Sequence, residues 1–97
     1  MSRPRVTRQE AMEAAKKAFQ REIKIKRIDY EMSQSALANL IGVGSSRMSI
    51  LMANPDQLTV ERLKKIISIL DIDPEIILAL LGYTKKQIDA LKRKGNQ

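Results

Sequence analysis

The chain has 97 residues, enough for one domain around a single core and too few for two. Hydrophobic residues make up 43% and aromatics only 3%, so any core must be assembled from Leu, Ile, Val, Met and Ala, a set that suits packed helices. Cys and His are both absent, which excludes disulfides, thiolate or imidazole metal sites and the catalytic devices that depend on those side chains.

The formal charge of +7 is unevenly spread. Residues 1–30 carry nine Lys/Arg against four acids, 31–84 carry four against six, and 85–97 carry five against one. Basic ends on a basic chain favour a polyanionic partner, nucleic acid ahead of anionic lipid. No run approaches the roughly 20 apolar residues of a membrane span, and no N-terminal stretch looks like a signal peptide. A cytoplasmic, nucleoid-associated protein without a membrane role is expected.

In chain order, residues 1–7, MSRPRVT, hold Pro4 and two arginines with no apolar period, and read as a flexible basic arm. From about Arg8 to Tyr30 there is no Gly or Pro, and Met12, Ala15, Phe19 and Ile23 keep helical spacing. The apolar set then moves to Ile25, Ile28 and Met32, so either the stripe drifts around one long helix or the helix breaks near Lys24.

Ser33 is a good N-cap for a short helix whose inner face is Leu37, Ala38 and Ile41, ending at Gly42. Gly44 opens a second short helix in which Met48, Leu51 and Met52 face inward. Two helices of about two turns each do not persist alone, so each must be held by the other and by its neighbours. Gly42 supplies the left-handed turn between them, and Ala38 is small enough for a close crossing. This is the sequence form of a helix-turn-helix, spanning residues 33–53. With Met48 inward, 100° per residue puts Ser46, Ile50 and Ala53 on the opposite side with Ser49 and Ser45 beside them, a small, nearly uncharged face that suits a DNA major groove.

NPDQ at 54–57 reads as a loop, with Asn54 tolerant of a left-handed conformation and Pro55 barring continuation. Thr59 caps a helix whose core stripe is Val60, Leu63, Ile66, Ile67 and Leu70. Pro74 starts and Gly82 ends a helix that is apolar on every side from Ile76 to Leu81, and Thr84 caps a last basic helix carrying Ile88 and Leu91. No strand or internal repeat is expected.

SQSALANLIGVGSSRMSIL, followed by LTVERLKKIISILDID, resembles the Cro/C1-type helix-turn-helix family of phage and bacterial transcriptional regulators. The shared features are a Ser-Gln pair opening the first motif helix, a Leu-Ala pair after it, a Gly-Val at the turn, and a Thr capping the helix after the motif; the resemblance covers about Phe19 to Leu81. It implies an all-α, compact five- to six-helix lambda-repressor-like domain. It also implies that Gln34 contacts a phosphate and braces the recognition helix, while Ser45, Ser46, Ser49 and Ile50 face bases. Arg47, on the helix flank, more naturally reaches a phosphate. Gly44 belongs to the same DNA-binding set, and Asn54, where the family usually has Gly, would present backbone amides to the phosphate chain.

The groove face departs from the family in lacking Gln, Asn or Arg, whose bidentate contacts yield about 1–3 kcal/mol of base discrimination. Specificity is therefore expected to lean on DNA shape and on the basic arms, Arg3 and Arg5 above all. Excess apolar area on the helix from Pro74 has two explanations. One is a homodimer interface within residues 74–94 using Ile76, Ile77, Leu80, Leu81, Ile88 and Leu91; the other is burial under the long N-terminal helix. The expected function is a sequence-specific double-stranded DNA-binding regulator, a Cro-like repressor or an antitoxin-type autoregulator with a toxin partner. The rivals are a DNA-architectural or packaging adaptor and a protein-binding helical module. Neither an enzyme nor a cofactor is expected, since arranged acid–base pairs, metal-ligand clusters and phosphate-cradling loops are missing from the sequence.

Overall fold

Thr7 opens the first helix: its Oγ1 accepts a hydrogen bond from the Glu10 N–H at 3.1 Å, and α1 then runs unbroken over Arg8–Asp29. The computed structural model describes residues 7–95. Thr7 thus caps a helix instead of belonging to the expected arm, and Arg3 and Arg5 lie outside the described residues. Helices α2 (Gln34–Ile41), α3 (Ser45–Ala53), α4 (Val60–Leu70), α5 (Pro74–Leu80) and α6 (Lys85–Gly95) follow, with a single 3-10 turn at Pro55–Gln57. No strand occurs among the described residues.

The drift of the apolar stripe along α1 is resolved in favour of one long helix. Ala15, Phe19 and Ile23 are buried, whereas Ile25 and Ile28 are exposed, because the helix outruns the core it packs on. Its end is closed by Glu31 in a left-handed conformation (φ 53°), with the Met32 N–H reaching back to the Arg27 carbonyl at 2.8 Å. The Arg27 guanidinium reinforces the turn by donating from Nη1 to the Met32 carbonyl at 3.2 Å. Chain direction into α2 is therefore set twice over.

Each later helix except α3 begins at a residue whose side chain can accept from its first turn. Ser33 caps α2, Thr59 caps α4 and Asp73 caps α5. For α6, Thr84 and Gln87 form a reciprocal capping box: the Thr84 N–H donates to Gln87 Oε1 at 2.9 Å and the Gln87 N–H donates to Thr84 Oγ1 at 3.2 Å.

Phe19, Leu37, Met48, Leu51, Ile66 and Leu70 meet in the centre with no more than a trace of exposure. Burying each such side chain is worth about 1.5–3 kcal/mol. Pro55, Leu58 and Ile72 carry the core into the connections, so the loops flanking α4 are pinned by burial. No polar or charged side chain is buried among the described residues. On α4 the expected stripe holds at Leu63, Ile66 and Leu70, but Val60, the first helical residue, is 55% exposed and leaves the stripe.

Helix α5 packs on α1, burying Ile77 and Leu80, while Ile76 is partly covered and Leu81 is 47% exposed. Ile88 of α6 is buried and Leu91 is 44% exposed. Of the six residues expected at a dimer interface, then, Ile77, Leu80 and Ile88 serve the protomer's own interior, and only Ile76, Leu81 and Leu91 retain area for a partner. The reason is geometric: α1 is long enough to cover one side of α5 while leaving the other open.

Candidate nucleic-acid interface

The junction between α2 and α3 is built on Gly42, at φ 79°. Its N–H bonds the Asn39 carbonyl at 3.2 Å, and the Val43 N–H reaches the Ala38 carbonyl at 2.9 Å, a Schellman closure that needs the left-handed residue. The helix axis turns by 99° across it, within the range of a helix-turn-helix. Ala38, almost fully buried at the crossing, leaves room for the two backbones to approach.

Met48 and Leu51 anchor α3 to the core, and its other sides are open. Ser45, Ser46, Arg47, Ser49 and Ile50 are all exposed, as the helical geometry requires once Met48 points inward. Ile50, at 48% exposure, offers an apolar contact of the kind a thymine methyl accepts.

The three serines differ in their hydrogen bonds. Ser49 Oγ accepts from Gln34 Nε2 at 3.3 Å and donates to the Ser45 carbonyl at 3.4 Å, while Ser45 Oγ donates to Ser35 Oγ at 3.4 Å. These contacts tie α3 to the start of α2, so Gln34 touches the recognition helix directly. Ser46, facing furthest from the core, has no hydrogen-bond partner for its hydroxyl among the described residues.

Gly44 precedes the helix with an ordinary φ of −72°, and a Cβ built there would meet nothing within 4 Å. No side chain caps the first turn of α3, leaving its N–H groups open to an external acceptor. Asn54 behaves otherwise than expected. Its φ is −131°, not left-handed; its N–H bonds the Ile50 carbonyl at 3.0 Å, and its Nδ2 donates to the same carbonyl at 3.2 Å. The residue closes the C-terminus of α3, so its backbone amide is not free for a phosphate.

Two contacts not anticipated from sequence hold the far end of α3. Gln20, in α1, donates from Nε2 to the Met52 carbonyl at 2.8 Å and to the Ala53 carbonyl at 3.5 Å. Lys16, one turn earlier, bridges Glu13 at 3.3 Å and Asp56 at 3.5 Å, joining α1 to the turn that follows α3. The hydrogen bond to Glu13 is the largest influence on the Lys16 ammonium; loss of hydration opposes it, and the charges of Asp56 and Glu13 add to it, leaving the group above its ordinary value of 10.5. The recognition helix is thereby clamped at both ends, by Gln34 and Ser35 at one and by Gln20 at the other. No cluster of groups able to hold a metal ion is found among the described residues.

A short helix presented outward at a right angle to a bracing helix, with small polar side chains on the free side, defines a helix-turn-helix DNA-binding domain. The model of the family described as the Cro/C1-type HTH DNA-binding domain matches residues 22–81, from the second half of α1 to the end of α5, and the chain belongs to that family. Comparison with curated proteins finds no match, and comparison with solved structures finds none. Among the described residues no single helix is long and apolar enough to cross a membrane.

Proposed function

We infer that the protein is a sequence-specific double-stranded DNA-binding transcriptional regulator that lays α3 in the major groove, in the manner of a Cro-like repressor or an antitoxin-type autoregulator. The observation that carries this is the outward serine-and-isoleucine face of α3, held rigidly by Gln34 and Gln20. Ser46 and Ile50 supply the base contacts. Ser45 and Ser49 border them, and Gly44 lets the phosphate chain approach the open first turn. Arg47, exposed and in no ion pair among the described residues, reaches a phosphate, as do Arg3 and Arg5.

A single recognition helix reads only a few base pairs, and a two-fold dimer doubles the site. The partner surface is the open side of α5 and α6, where Leu81, Tyr83 and Leu91 are exposed and where Tyr83, with Ala11, Ala15 and Ala79, lines a groove of about 850 Å³. A toxin partner, for an antitoxin, would use the same surface.

The lack of Arg, Asn or Gln on the groove face favours one second reading, a DNA-architectural or packaging adaptor with little operator preference. Selection of bound fragments from a random duplex library separates the two. A regulator returns a two-fold symmetric consensus; an architectural protein returns none.

A further inference from the structure

Helix α1 carries seven cations: Arg8 lines the groove toward α5 and α6, Lys26 is half-buried on that same side of the helix, and the other five fall into two groups. Lys16 is engaged by Glu13 and Asp56, and Arg27 is spent on the Met32 carbonyl. Lys17, Arg21 and Lys24 are exposed and form no ion pair with any acid among the described residues. Taking Gln20 as the reference direction, 100° per residue places Lys24, Lys17 and Arg21 at about 40°, 60° and 100° around the helix, so the three form one stripe adjacent to Gln20. Gln20 is the residue that grips the Met52 and Ala53 carbonyls, so this stripe stands beside the C-terminal end of α3.

The same geometry separates the stripe from the groove lined by α5 and α6. The α1 residues of that groove, Arg8, Ala11, Met12, Ala15 and Ala18, fall between about 160° and 280° on the same scale, beyond the stripe. Helix α1 therefore turns one side to the core and to α5 and α6, while Lys17, Arg21 and Lys24 project from the other side, C-terminal to Glu10 and Glu13, of which Glu13 is bonded to Lys16. A helix in the major groove is bordered by phosphate strands, and three unpaired cations fixed at its outer end are placed to neutralise one of them.

We propose that Lys17, Arg21 and Lys24 form a phosphate-backbone site on α1 that extends the DNA contact beyond the helix-turn-helix, a proposal that rests on α3 being the groove helix. The site supplies affinity without reading sequence, which offsets the weak base contacts of a serine-lined face. Its phosphates are those of the duplex flanking the C-terminal end of α3.

The test is a salt titration of binding to a defined duplex by the full chain, by Lys17→Gln/Arg21→Gln/Lys24→Gln, and by a control, Lys64→Gln/Lys65→Gln, on the exposed side of α4. Glutamine keeps the helix propensity of lysine, and unchanged thermal unfolding verifies the fold. The log–log salt slope of the triple variant is expected to flatten by about 1 per lost contact, so by about 3, with relative preference among duplex sequences unchanged and the control retaining the parent slope. A triple variant with the parent slope overturns the proposal and leaves the stripe to another partner, such as an acidic protein surface. Equal flattening in the control also overturns it, since general charge would then suffice. Failure of the unaltered chain to bind any duplex at low salt sinks the groove-helix reading itself and is recognised before any variant is compared.

Discussion

At the scale of single residues, the interface depends on one backbone conformation and a few side chains with no periodic signature. Gly42 occupies φ 79° at the only turn that aims α3, and a side chain there is strained even though a Cβ would touch nothing. Gly42→Ala is expected to destabilise the fold by about 1–2 kcal/mol, read as a lower urea midpoint at an unchanged m-value. Lys16 gives a signature in pH. Its ammonium titrates above 10.5 in the folded chain, so its contribution is fully present below that value and is lost as pH rises through the folded one. Chemical-denaturation midpoints from about pH 9 to about pH 11.5 should fall more steeply for the parent than for Lys16→Gln. Parallel curves would show that the contacts to Glu13 and Asp56 do not hold the Lys16 ammonium.

At the scale of elements, most boundaries were legible because their chemistry is local. Ser33, Thr59 and Thr84 sit one residue before helices and cap them, Pro74 starts another, and Gly42 sits one residue after one. The inward faces of α2 and α3 also followed from spacing, and with them the exposure of Ser46 and Ile50. Where sequence reasoning stopped, the deciding interaction was distant. Gln20 is 32 residues from the carbonyl it holds, and a glutamine in a basic helix carries no signal of that contact. Asn54 was read from its tolerance of a left-handed turn, but bonding to the Ile50 carbonyl set its conformation instead. For α5, an all-apolar run does not say which side its neighbours cover. The structure separates the sides, and substitution should as well. Leu80→Ala, at 3% exposure, is expected to cost about 2–5 kcal/mol of stability through lost burial and the cavity left behind. Leu81→Ala, 47% exposed, should leave monomer unfolding nearly unchanged and instead weaken self-association measured by sedimentation.

At the scale of the whole molecule, the surfaces are divided by function. The free side of α3 and the cationic side of α1 adjoin at Gln20, while the open groove between α1, α5 and α6 carries acids of its own in Asp73, Glu75 and Asp89. Arg8 and Lys85 line the groove with those acids, so its charge is mixed, and it lacks the run of unpaired cations that borders α3. The basic excess of residues 1–30 therefore acts through placement as well as amount. The most direct test of this arrangement is titration of an unlabelled duplex carrying the selected consensus into the ¹⁵N-labelled chain, followed by amide shifts. The largest changes should fall on Ser45 to Ala53 and the start of α2, with smaller ones along Lys17 to Lys24. Changes concentrated on α4 or on the α5–α6 groove, with α3 unmoved, would contradict the account.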